Sequence, residues 1–173
     1  MTRFSKIKDL SSIGVADVIG SGISSVFWFY LATLIEPEAY GELNYLLSIA
    51  RIASTIALLG ATQSLLVYSA KNVRIHSTLY TLNLIIGVIS SIIVVLIVRD
   101  FTVGLLVMGY MIFAIAYSDV LGKKYFKTYT KYILVQKTLM ISLGIGFYFI
   151  FGINGIILGI SISFFVGILR IIH

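Results

Sequence analysis

Leu84-Ile85-Ile86-Gly87-Val88-Ile89-Ser90-Ser91-Ile92-Ile93-Val94-Val95-Leu96-Ile97-Val98 is the stretch that decides the fold. It holds no charged residue and shows no alternation of apolar and polar positions, so it is not a membrane β-barrel strand. Extended back to residue 78 it reaches the roughly 20 residues that a helix needs to cross hydrocarbon. A helix satisfies its own backbone groups there, whereas an open strand would leave them unpaired in lipid.

Working outward, apolar segments of similar character cover 11–34, 43–69, 78–98, 101–121, 132–151 and 153–170. The expectation is an all-α, polytopic integral membrane protein: a single six-transmembrane-helix bundle over residues 1–173. Composition agrees, since the 173 residues are 59% hydrophobic and only 12% charged, with a mean hydropathy of +1.04. A soluble domain does not have that usage. Six spans use about 130 positions and leave about 40 for tails and loops, too few for a soluble catalytic domain.

The chain has no cysteine, which removes disulfides, thiolate metal sites and cysteine nucleophiles. Its net charge of +6 is not a stripe for nucleic acid, because the basic residues sit in short clusters between apolar runs. Arg3, Lys6, Lys8, Lys71, Arg74, Lys123, Lys124, Lys127, Lys131 and Arg170 fall on one side; Arg99 alone falls on the other, with Glu36, Glu38, Glu42 and Asp100. The positive-inside rule then places both termini in the cytoplasm of a cell-membrane protein. A cleaved signal peptide fits less well, because the first apolar stretch is long and contains Asp17. Residues 1–12 read as a short interfacial helix, with Ser11 or Ser12 as N-cap of the first span.

Small residues recur at fourfold spacing, as Gly155, Gly159, Ser163 and Gly167, as Ala16, Gly20 and Ser24, and as Ala53, Ala57 and Ala61. Such stripes let helices approach closely. Ionisable residues at bilayer depth carry more functional information, because each must face a partner or a wet cavity. Asp17 is the candidate for ion coupling, with a neutral hydrogen-bonded acid as the structural alternative. Arg51 cannot discharge by losing its proton, so it needs acceptors or water and is the candidate anion contact. Asn44, Ser48 and Arg51 share one helical face, and with Asn83 they form the candidate substrate-binding set. Asp119 is expected to pair with Lys123 one turn on, and Lys137 to snorkel as an anchor. Tyr125, Tyr129 and Tyr132 suit an interfacial aromatic belt, and Lys123, Lys124 and Lys127 could meet a lipid phosphate.

No enzyme constellation is visible. His76 reads as a loop residue, His173 is terminal, and no P-loop or metal-ligand spacing occurs, so neither catalysis, a metal nor a cofactor is expected.

Leu34-Ile35-Glu36-Pro37-Glu38-Ala39-Tyr40-Gly41, followed by Leu59-Gly60, resembles the opening of the polysaccharide and oligosaccharide flippases, in the superfamily shared with multidrug and toxin exporters. Pro37 and Gly41 would end one helix and turn the chain into the next. Thr33 stands where many members carry an arginine. The resemblance covers roughly residues 5–75 and implies one six-helix lobe of a two-lobed, alternating-access transporter. Its implied cargo is a polyprenyl-linked oligosaccharide for cell-surface polysaccharide biosynthesis. The implied partners are membrane lipids and a second six-helix lobe, from another copy or a separate chain. Asp17 is similar in position to an acid that some multidrug members use for cation coupling. The alternatives are a fragment of a drug/cation antiporter, in which Asp17 outweighs Arg51, and a non-transporting membrane subunit of a glycan-assembly complex.

Overall fold

The computed structural model describes residues 3–71 and 76–168, and for residues 3–13, 16, 76 and 77 it describes the backbone alone. Arg74, Arg170 and His173 therefore lie outside the described residues, as do the side chains of Arg3, Lys6, Lys8 and Ala16. All regular structure among the described residues is helical.

Helix α1 (Arg3–Leu34) runs 32 residues without a break. The expected short interfacial helix with a fresh start at Ser11 or Ser12 is thus replaced by one continuous rod of about 48 Å at ~1.5 Å per residue. No proline interrupts the segment. The chain turns at Glu36, whose backbone is extended, and Pro37 occupies the first turn of α2 (Pro37–Leu58). Proline suits that position because its missing N–H would have no intrahelical partner. Helix α2 consequently begins six residues before the expected 43, and Gly41 lies inside it rather than in a turn.

Leu59 and Gly60 both take left-handed backbone, φ 43° and 75°. They end α2, and α3 (Ala61–Ala70) departs at 53°. The segment expected as one span over 43–69 is a bent pair, and Ala61 falls on a different helix from Ala53 and Ala57. Helix α4 (His76–Val98) starts on the histidine read as a loop residue. Asp100 caps α5 (Phe101–Gly122), accepting from Thr102 N at 2.7 Å and from the Thr102 hydroxyl at 2.6 Å. Helix α6 (Phe126–Phe151) begins ahead of the expected 132. After Gly152 the chain reverses into α7 (Ile153–Phe164), finished by a 3-10 turn over Phe165–Gly167.

Four of these helices are long and apolar enough to cross a membrane: the Asp17–Leu34 part of α1, the Thr78–Val98 part of α4, α5 and α6. Counting α2 with α3 as one broken span gives five, and Ile153–Gly167 is shorter. The expected six is therefore reduced to four or five among the described residues. The described part of the sixth, Ile153–Gly167, is 15 residues and covers about 22 Å against a hydrocarbon core of about 30 Å.

Helix α5 is the centre. Of its span 56% is buried, against 17% for each of the other three. Helices α2, α3, α4 and α7 all pack on it, and Leu106, Val107, Ile156, Ile157 and Leu43 fill the core. The glycine stripe of α7 meets α6 backbone to backbone. A Cβ at Gly159 would sit 2.5 Å from the Leu143 carbonyl carbon, and one at Gly155 would collide with the Phe147 carbonyl. Helix α1 lies along α6, with Gly20 against Ile133 and Gly144 against Phe27. It meets α2 only slightly, and that leaves a cleft between them.

Candidate functional site: a cationic cleft between α1 and α2

Trp28 of α1 and Tyr40, Asn44, Leu47, Ser48 and Arg51 of α2 line a cavity of about 240 Å³. The sequence pattern that put Asn44, Ser48 and Arg51 on one face is realised here. Trp28 meets Tyr40 edge to face, ring centroids 6.4 Å apart, and closes the end nearest the turn. Asn44 Nδ2 donates to the Tyr40 carbonyl at 2.8 Å, and Ser48 Oγ donates to the Asn44 carbonyl at 2.7 Å. With those hydrogens committed to the backbone, the pair retains chiefly acceptor oxygens and one amide N–H for a ligand.

Arg51 lies fourteen residues into α2, about 21 Å along the helix. Its guanidinium lies near the Tyr110 hydroxyl of α5. Lys137 of α6 lies close enough to feel its charge, and the Lys137 stem crosses the face of Gly20. Lys137 is half-buried eleven residues into its helix, which is not the position of a boundary anchor. Among the described residues neither cation has a carboxylate within salt-bridge distance; Lys123–Asp119 is the ion pair they contain. A guanidinium in a cleft without an acid beside it makes a site that gains from an anion.

Asp17 does not join this cluster. Its Oδ1 accepts from the Tyr129 hydroxyl at 2.9 Å, tying α1 to α6. Tyr129 is buried, its ring 5.1 Å from that of Tyr117, so it is a packing residue rather than part of an interfacial belt. Asn83 also lies elsewhere, on α4 facing α5, in a second cavity. Asp119 pairs with Lys123 as expected, at 2.9 Å, and it also accepts from Ser69 of α3 at 2.9 Å. That pairing commits Lys123, leaving Lys124 and Lys127 exposed for any lipid phosphate.

Tyr110 and Trp28 at the cleft, and Lys137 beside it, are residues that sequence reasoning did not place there. Lys137 carried a signal, an ionisable residue well inside an apolar run; Tyr110 and Trp28 carried none that separates them from other aromatics. No group of three or more potential metal ligands occurs among the described residues.

No protein-family model, curated protein or solved structure matches this chain.

Proposed function

We propose that the chain is one lobe of a membrane flippase that moves a lipid-linked oligosaccharide with an anionic phosphate link, for cell-surface polysaccharide assembly. A second lobe, another copy or a separate chain, supplies the facing wall. What supports this reading is Arg51, without a carboxylate within salt-bridge distance among the described residues, in a cleft that hydrogen-bonding side chains also line. The guanidinium suits the phosphate groups. The acceptor oxygens of Asn44 and Ser48 suit saccharide hydroxyls, and Trp28 and Tyr40 offer faces on which sugar C–H groups can lie. A drug/cation antiporter is a poorer fit, because the Arg51 charge in the cleft repels a cationic cargo. Asp17, bonded to Tyr129 through one oxygen, is the residue through which a sodium or proton gradient would act. In this reading the protein sits in the cytoplasmic membrane, with both termini inside.

The test is translocation of a fluorescent polyprenyl-pyrophosphate oligosaccharide in proteoliposomes that hold the full chain. Arg51→Ala is expected to slow transfer at least tenfold with insertion intact, since about 1.4 kcal/mol of lost interaction gives that factor. Wild-type transfer no faster than empty vesicles, or unchanged transfer by Arg51→Ala, overturns the assignment.

A further inference from the structure

Lys124, Lys127 and Lys131 are exposed around the start of α6, and among the described residues none has a carboxylate within salt-bridge distance. Lys131 differs from the other two because it also lines a cavity. That space, of about 280 Å³, is lined by Thr128, Lys131, Tyr132 and Val135 of α6 and by Val166 of the 3-10 turn. The four α6 residues stand at i, i+3, i+4 and i+7, so they share one face of the helix. Thr130 spends its hydroxyl on the Phe126 carbonyl at 3.1 Å. The Thr128 and Tyr132 hydroxyls and the Lys131 ammonium have no such partner among the described residues. Three groups able to donate, with no acid among the described lining, favour an anion.

The face changes character along its length in the way a bilayer does. Helix α6 has 26 residues, about 39 Å at ~1.5 Å per residue, against a hydrocarbon core of about 30 Å. Its far end exposes Phe149, Ile150 and Phe151, apolar groups that belong in hydrocarbon. The excess therefore falls at the lysine end. Thr128, Lys131 and Tyr132 lie two to six residues into the helix, about 3 to 9 Å, at the level of lipid headgroups. Val135 lies nine residues in, about 14 Å, where acyl chains begin, and it is exposed. The volume is just under the roughly 300–1,000 Å³ that encloses a small organic ligand. An amphiphile would seat its head in the cavity and leave its chain along the outside of α6.

We propose that this cavity binds an anionic phospholipid, its phosphate held by Lys131, Thr128 and Tyr132 and its acyl chain lying against Val135 and Val166. The ligand carries a phosphate or like anion, since the polar lining donates. It bears net negative charge, since Lys131 has no acid to balance it. It is a lipid rather than a free anion, since Val135 and Val166 offer an apolar surface directly beneath the donors. The site is separate from the Arg51 cleft and does not depend on the transport reading.

The full chain in phosphatidylcholine nanodiscs is photolabelled with a trace of phosphatidylglycerol that carries a diazirine on its acyl chain and, in parallel, with phosphatidylcholine bearing the same chain. Phosphatidylglycerol is expected to label the peptide spanning residues 128–135 about fivefold more, the scale of one lysine at a membrane surface. Lys131 is exposed, so Lys131→Gln is expected to fold normally and to bring the two probes level. Lys124→Gln removes the same charge outside the cavity and is expected to keep at least half of the preference. Equal labelling of the wild type by the two probes, or labelling confined to other helices, overturns the proposal. So does an equal loss in the two variants, which would mark a diffuse charge effect. Complete loss of labelling on adding excess inorganic phosphate also overturns it, because the ligand would then be the free anion.

Discussion

The Tyr129 hydroxyl donates to Asp17 Oδ1 at 2.9 Å, joining α6 to α1 across 112 positions of sequence. Lys137, two turns further along α6, crosses Gly20 on the same side of α1. The two contacts hold α1 against α6 and away from α2, which keeps the cleft beside Arg51 open.

Tyr129→Phe removes that bond without changing the ring that stacks near Tyr117. In a double-mutant cycle with Asp17→Leu the coupling is expected at about 0.6 kcal/mol, the average for hydrogen bonds between membrane helices. Thermal unfolding of the four proteins in one detergent measures it. A coupling of zero means that the bond contributes nothing to the α1–α6 contact.

At the Lys71 end of the bundle, Asp119 is 2% exposed and accepts from both Lys123 and Ser69. Lys123→Met takes the cation away from a buried carboxylate, and is expected to cost about 3 kcal/mol. The double change Asp119→Leu with Lys123→Met is expected to cost less, because no charge is stranded. Denaturation midpoints of both variants decide it; a double variant less stable than Lys123→Met contradicts the argument.

Gly155 and Gly146 form a matched pair. A Cβ at Gly155 collides with the Phe147 carbonyl, while one at Gly146 meets nothing within 4 Å. Gly155→Ala is expected to lose about 1–3 kcal/mol by forcing α7 off α6, and Gly146→Ala to hold or gain stability through helix propensity. Equal midpoints for the two variants would show that the hairpin is looser than its geometry.

Leu59 sits at φ 43°, and its side chain is 77% exposed. Leucine gains nothing there to offset a left-handed backbone that costs roughly 1–2 kcal/mol. Leu59→Gly is expected to stabilise the protein by about 1 kcal/mol, and Gly60→Ala, at φ 75°, to destabilise it by a similar amount. A loss of stability in Leu59→Gly would mean that the leucine side chain itself is needed at the α2–α3 bend.

Much of the helical architecture is legible in residue type alone. A run such as Leu84–Val98 has one stable form in hydrocarbon, and Pro37, Asp100 and Gly152 mark helix starts by local chemistry. The face shared by Asn44, Ser48 and Arg51 follows from 3.6 residues per turn, and the Asp119–Lys123 pair from the i, i+4 neighbour relation. Those are properties of a chain segment a few turns long, so the sequence by itself determined them.

Which helix lies beside which is another matter, because apolar faces fit one another in many arrangements and leave no unique mark on composition. The tertiary structure alone decided that Asp17 meets Tyr129 rather than Arg51, that Lys137 and Tyr110 converge on Arg51, and that Asn83 faces α5 instead of the cleft. It also decided the bend at Leu59–Gly60, where Ser69 bonds Asp119 and Gly122 admits α3 to the flank of α5. The Ser69–Asp119 and Asp17–Tyr129 bonds join side chains 50 and 112 positions apart, and their energies are set by the packing that brings them together.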